Sequence, residues 1–298
     1  MSDNNNIARV ITHFGHEILI SSYQGKRLRA TVRKDVPALV SGDKVHWHLT
    51  ENNDAVITEL LERHGLLTRS TRFANSKPIA ANIDLALVVC SHHPELRTGL
   101  IDRYLAACEL AKIDAAIVFN KVDLLTDKEL HEIKQQLSIY ETIPYPVFYI
   151  SAKQEDTLND LKNTLKDKSS ILVGQSGVGK SSIIRGLHPT ANPKVADVSD
   201  KTNKGRHTTT HSELYNLNDN SFIIDSPGIR EFGLDLDDPA LLESGFKEFQ
   251  ALLGQCQFRD CMHISEPKCA IQKAVKAGSV SPQRWESYKS ILDSLGEG

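Results

Sequence analysis

Residues Gly174-Gln175-Ser176-Gly177-Val178-Gly179-Lys180-Ser181 form a complete phosphate-binding loop, and the tetrapeptide Asn120-Lys121-Val122-Asp123 lies before it in the chain. Guanine-nucleotide domains ordinarily run the other way, phosphate loop first and base-reading element afterwards. The inverted order means that the same loops must be carried by a sheet whose connections have been circularly permuted. This order constrains the fold more than either motif does alone.

The phosphate loop works through backbone geometry. Glycines accept conformations closed to other residues, so consecutive N–H groups can turn inward around phosphate oxygens. Lys180 is placed to reach the β- and γ-phosphates, and the Ser181 hydroxyl to bind Mg²⁺. The context fits: residues 171–173 are a short apolar strand, and Ser181-Ser182-Ile183-Ile184 opens a helix whose N-terminus favours anions. A Gly-rich turn without this flanking strand and helix would carry no such implication.

Asn120-Lys121-Val122-Asp123 ends a second apolar strand, 115–119. The Asp123 carboxylate can accept from both N1–H and the 2-amino group of guanine, a donor pair that adenine lacks, and the Lys121 stem can lie along the base. About thirty residues later the strand-then-loop pattern recurs at Tyr149-Ile150-Ser151-Ala152-Lys153. It is similar to the second base-contacting element of GTPases, with the Ala152 N–H expected at the base O6. Each signal alone is weak; their mutual order makes them strong.

A further apolar strand, 221–224, runs into Asp225-Ser226-Pro227-Gly228. This resembles the element in which an Asp supports the Mg²⁺ shell and a Gly N–H senses the γ-phosphate, assigning those parts to Asp225 and Gly228. Between it and the phosphate loop, Gly205-Arg206-His207-Thr208-Thr209-Thr210 falls where a first switch belongs. By register Thr209, with Thr208 second, supplies the hydroxyl that completes the Mg²⁺ shell. Ile229 follows Gly228, where many GTPases place a Gln that orients the attacking water, and an isoleucine cannot do so. His207 can accept a water proton near neutral pH; it is equally readable as a solvated switch-loop residue.

Near the C-terminus, Cys256, Cys261, His263 and Cys269 are spaced C-x4-C-x-H-x5-C. Three thiolates and an imidazole are the set a structural tetrahedral Zn²⁺ site needs, one ion per chain. A disulfide would use two cysteines, leave one over and give His263 no role. Cys90 and Cys108 sit on apolar stretches and read as core residues.

The remainder bounds the class. The 298 residues are 40% hydrophobic with a net charge of −3, which does not advertise a nucleic-acid binder. No apolar run approaches membrane-spanning length, the start is polar, and five cysteines do not form a secreted framework, so a cytoplasmic location with no membrane partner is expected. Positive charge is local: residues 1–77 hold eleven Lys/Arg against eight Asp/Glu, concentrated around residues 26–34. That charge run is also what a solvated strand face looks like. The same segment reads as five short strands (9–14, 17–20, 28–32, 44–49, 55–60), a small β domain comparable to an OB-fold barrel. Residues 63–78 read as a linker.

The middle alternates strand and helix in the manner of a doubly wound α/β sheet with loops at strand C-terminal ends: strand 83–90, the His92-His93-Pro94 loop, helix 100–112, strand 115–119, helix 128–140, strand 146–150 and helix 158–166. Helical segments are expected at 239–253, 270–277 and 282–295, too small to bury much core unaided, hence a reason for a metal staple. The expected division is 1–65 OB-like and RNA- or ribosome-binding, 66–235 a permuted P-loop GTPase, and 236–298 a mainly helical zinc-binding domain.

A basic OB-like module, a permuted GTPase carrying Gly205-Arg206-His207-Thr208-Thr209-Thr210, and a C-x4-C-x-H-x5-C tail together resemble the RsgA (YjeQ) family over essentially the whole chain. The resemblance implies a GTPase that hydrolyses GTP to GDP and phosphate with Mg²⁺. It also implies binding to the small ribosomal subunit and its rRNA, stimulation by that subunit, a role in its late maturation, and a monomer. The stretch before the first strand is short, so contacts made by a longer arm are not expected. Two other readings are an RNA-binding scaffold with a vestigial nucleotide site, and a permuted GTPase serving another RNA or tRNA enzyme. The intact Lys180, Ser181, switch threonines and Asp225/Gly228 favour an active switch.

Overall fold

The structure, a computed structural model, describes residues 6–14, 17–23, 25–69, 77–189, 212–218, 220–225, 234, 236 and 238–296. Strands β1 (Ile7–Phe14), β2 (Glu17–Ser22), β3 (Arg27–Val32), β4 (Lys44–Leu49) and β5 (Ala55–Leu60) close into a barrel in the order β1-β2-β3-β5-β4. β1 pairs with both β2 and β4, and β3 runs parallel to β5. Register shifts at Val10/Thr12 and His46/Trp47 add the local bend that lets so few strands close. Val10, Ile18, Ile20, Val45 and Ile57 fill the interior.

The segment expected to be a linker instead holds a hairpin, β6 (Leu67–Arg69) with β7 (Lys77–Ala80). Its strands are too short to show a period of two, but Leu67 and Ala80 are fully buried in the neighbouring core.

The central sheet contains β8 (Leu85–Ser91), β9 (Asp114–Asn120), β10 (Val147–Ile150), β11 (Ser169–Val173), β12 (Glu213–Asn218) and β13 (Ser221–Asp225), ordered β10-β9-β8-β11-β13-β12. All neighbours are parallel except β12, an antiparallel edge with no counterpart among the expected strands. The near-continuous apolar runs of β8, β9 and β11 follow from burial on both faces. Ala86, Val88 and Cys90 meet helices α1 (Thr98–Leu110) and α2 (Asp127–Thr142). Leu85, Leu87 and Val89 meet α3 (Asn159–Thr164) and α4 (Lys180–Leu187). The C-terminal ends of β8, β9, β10, β11 and β13 therefore lie along one edge of the sheet.

The C-terminal unit contributes α5 (Ala270–Lys276) and α6 (Pro282–Gly296). The helix expected at 239–253 is replaced by two 3₁₀ turns, Pro239–Gly245 and Gln250–Leu252. Packing overrides propensity here. Gly245 sits so close to α1 that a Cβ would lie 3.0 Å from the Ala106 carbonyl oxygen, and Phe246 and Phe249 turn inward together, ring centroids 5.1 Å apart. These side chains, with Ile271, Tyr288 and Ile291, belong to the same core as α1 and α2. The unit thus does bury a core, but a shared one.

Candidate functional site

The loop between β11 and α4 has three glycines at positive φ: Gly174 (140°), Gly177 (85°) and Gly179 (99°). A Cβ at Gly174 would lie 2.2 Å from the Val89 carbonyl oxygen, and one at Gly179 2.3 Å from Asn120 Nδ2. No side chain fits at either position, which is why this pattern demands glycine. Lys180 opens α4, and its Nζ donates to the carbonyls of Gly174 and Gln175 at 2.8 and 2.9 Å, holding the ammonium within the loop. Gln175, Ser176 and Gly177 line its open side, Val178 is buried beneath, and Ser182 is half-buried in the first turn of α4.

Asn120 and Lys121 are brought directly onto this loop. Asn120, buried at the end of β9, donates through Nδ2 to the Val178 carbonyl at 2.9 Å. Lys121, left-handed at φ 70°, lays its Nζ 2.6 Å from the Gly177 carbonyl and 2.8 Å from that of His93. Val122 and Asp123 follow in a 3₁₀ turn, with the Asp123 carboxylate exposed. Thr126 then caps α2 reciprocally with Glu129, fixing where the turn ends. Ala152 N–H, expected at a base oxygen, donates to Asn120 Oδ1 at 3.1 Å, so the two base-side loops are tied to each other. Ser151 is buried, and its N–H donates to Thr157 Oγ1 at 3.0 Å, an anchor that no sequence motif announced.

At the far side, Ser181 Oγ donates to Asp225 Oδ2 at 3.1 Å. Burial pushes the Asp225 carboxyl above its ordinary range, opposed by the Ser181 hydrogen bond and the nearby Lys180 ammonium. A hydroxyl and a carboxylate side by side at the mouth of a phosphate loop suit a hard divalent cation such as Mg²⁺. His207, Thr209 and Gly228 lie outside the described residues.

The second cluster gathers Cys256, Cys261, His263 and Cys269, whose ligand atoms all lie within 4.8 Å of one another. His263 Nδ1 is 3.5 Å from Cys256 Sγ, 3.5 Å from Cys261 Sγ and 3.3 Å from Cys269 Sγ, and the Cys256 and Cys269 sulfurs are 3.9 Å apart. A tetrahedral ion with Zn–S near 2.3 Å and Zn–N near 2.0 Å requires edges of about 3.5–3.8 Å. The four separations, 3.3–3.9 Å, lie close to these values, and the group could hold a metal ion. His263 Nε2 is 2.6 Å from Glu243 Oε2, which directs the other ring nitrogen at the sulfurs. The Glu266 carboxylate accepts from the N–H groups of Met262, Ile264 and Ser265 at 2.8–3.0 Å, closing the loop between ligands. Neither glutamate has a sequence signature; Glu243 stands twenty positions before the histidine it orients.

Comparison with known proteins finds the chain similar to one family. A family model described as RsgA GTPase matches residues 60–235. The chain is 42% identical over 292 residues to the small ribosomal subunit biogenesis GTPase RsgA of Haemophilus influenzae strain PittGG, covering 97% of this chain and 84% of the relative. The protein of the same name from Pseudomonas aeruginosa strain LESB58 is 42% identical, with 97% and 85% covered. Among solved structures, YjeQ from Thermotoga maritima matches with a TM-score of 0.80 at 28% identity, covering 97% of this chain and 98% of that one. YloQ, described as a circularly permuted GTPase, matches at 0.76 and 25% identity over 98% and 95%. Among the described residues no helix is long and apolar enough to cross a membrane.

Proposed function

This chain belongs to the RsgA GTPase family and hydrolyses GTP, and from that premise we propose that it acts on the small ribosomal subunit during its late maturation, with turnover stimulated by that subunit. The observation that carries the nucleotide reading is the direct joining of Asn120 and Lys121 to the glycine loop, across the permuted order of the chain. The relatives are named for small-subunit biogenesis, and that name supports the partner.

In this reading Asp123 accepts from the guanine N1–H and 2-amino groups, the Lys121 stem lies on the base, and Asn120 fixes one loop against the other. The backbone of 174–179 cradles the phosphates, Lys180 neutralises their developing charge, Ser181 with Asp225 holds Mg²⁺, joined by the Thr209 hydroxyl, and the Gly228 N–H senses the γ-phosphate. Mg²⁺ supplies charge stabilisation at the transferred phosphoryl group. His207 fills the water-orienting role that Ile229 cannot. The cysteine–histidine group holds one Zn²⁺ as a structural ion, since four soft or borderline protein ligands leave no open position for catalysis. The barrel, which holds the basic run at residues 26–34, contacts rRNA. We assign residues 1–65, 66–235 and 236–298 as the three functional units of a cytoplasmic monomer.

The deciding experiment is GTP turnover by the purified chain with and without purified small subunits. A large rate increase is expected on adding subunits. Equal turnover in both arms would remove the subunit from the mechanism while leaving the GTPase assignment intact.

A further inference from the structure

The metal-binding unit and the nucleotide unit converge on one fully buried cation. Arg284, in the first turn of α6, donates through Nη1 to Asp102 Oδ1 at 2.7 Å and through Nε and Nη2 to the Glu248 carboxylate at 2.7 and 3.1 Å. Its side chain and that of Asp102 have no exposed surface. The Tyr140 hydroxyl donates to the same Asp102 oxygen at 2.7 Å, and the guanidinium lies 4.5 Å from the Phe246 ring centre. Burial alone would lower the Arg284 pKa, but the two carboxylates hold it above its ordinary value, so it stays charged.

Asp102 belongs to α1, Tyr140 to α2 and Arg284 to α6. The first two helices each begin at a base-side loop. α1 follows the 91–97 loop, whose His93 carbonyl accepts from Lys121 Nζ. α2 follows the turn that carries Asp123. On the other side α6 is bonded to the metal loop, with Trp285 Nε1 donating to the His263 carbonyl at 2.8 Å and the Tyr288 hydroxyl to that of Met262 at 3.1 Å. A buried ion pair is a poor device for stability, because apolar side chains of similar shape do as well or better. What its directional bonds add is a fixed register for the three helices that meet there.

We propose that Arg284 is a positioning residue for guanine recognition: through Asp102 and Tyr140 it sets α1 and α2, and so the placement of Lys121 and Asp123, from the C-terminal unit. The inference rests on the guanine-reading assignment of Asp123. It is tested on the full-length, zinc-loaded protein by competition binding of GDP and IDP, because inosine lacks the 2-amino group that Asp123 reads. Arg284→Met is expected to lower the IDP-to-GDP Kd ratio by roughly 2- to 30-fold, the span of couplings measured between linked sites. A role confined to stability lowers the thermal midpoint and leaves that ratio at the parent value, which overturns the proposal. Should Arg284→Met fail to fold, Tyr140→Phe removes one hydrogen bond of the cluster and is expected to lower the ratio by about 2-fold or more; a parent-like ratio in that folded variant overturns it equally. If the parent itself does not prefer GDP to IDP, the Asp123 assignment falls, and this inference with it.

Discussion

At the scale of single residues, two side chains carry the proposed specificity and chemistry, and each makes a separable prediction. Asp123 stands exposed on a turn clamped by the Thr126–Glu129 cap, and in the proposed role its carboxylate accepts two hydrogen bonds from one base edge. Asp123→Asn replaces one acceptor with a donor, so it should abolish guanine preference and admit xanthine. Sites that leave polar partners unpaired discriminate by ~10⁴-fold or more. GTP binding as tight as the parent's, in competition against XTP, would refute the assignment. His207 concerns the rate rather than the affinity. A positioned general base contributes about 10²–10⁴-fold, whereas a solvated loop histidine contributes almost nothing. His207→Ala should therefore slow single-turnover hydrolysis on subunit-bound, GTP-saturated protein by at least ~10²-fold while nucleotide affinity stays near the parent's. Lys180→Ala is the contrasting control, since loss of that ammonium weakens ground-state binding itself.

At the scale of elements, the metal loop shows what sequence spacing reveals and what it hides. The ligand pattern C-x4-C-x-H-x5-C is local, and its four ligand atoms come within 4.8 Å of one another. Glu243 is not local: it reaches His263 from a 3₁₀ turn whose last residue, Gly245, packs closely against Ala106. Partners of metal-bound histidines typically contribute 10- to 100-fold in affinity. Glu243→Gln should thus weaken Zn²⁺ binding by about 10-fold or more, measured by chelator competition, with about one Zn²⁺ per chain still present in the parent. Cys261→Ser should remove the ion outright. Undiminished zinc affinity in the Glu243 variant would limit that carboxylate to a surface contact.

The same division runs through the other elements. The buried strands β8, β9 and β11 and their loops were legible because an apolar run ending in a motif is a local signal. The β6–β7 hairpin, edge strand β12 and the 3₁₀ turns were not, because short or half-polar segments take their conformation from neighbours distant in sequence. Likewise the phosphate-loop glycines could be read from the chain, whereas the tether of Ala152 to Asn120 and the anchor of Ser151 on Thr157 could not.

At the scale of the whole molecule, the permutation has a mechanical consequence. The chain leaves the sheet after β13, the strand that carries Asp225, and the C-terminal unit returns to the opposite part of the domain, against α1 and α2. Phe246, Phe249, Tyr288 and Ile291 share one continuous core with Leu105, Tyr140 and Phe119, while the barrel keeps a separate core around Val10, Ile20 and Ile57. Losing the proposed Zn²⁺ should therefore loosen more than the tail. Structural zinc contributes folding free energy directly, and its removal withdraws support from the loop that α6 grips through Trp285 and Tyr288. Arg284 and Asp102 are then left in a dissolving interface, where a buried charge without its partner typically costs about 3–5 kcal/mol. Hydrogen exchange before and after zinc chelation should show protection falling in α5 and α6 and also in α1, with the barrel strands unchanged. If protection falls in α5 and α6 while α1 keeps its parent rates, the shared core does not transmit the loss, and the metal unit is an independent appendage.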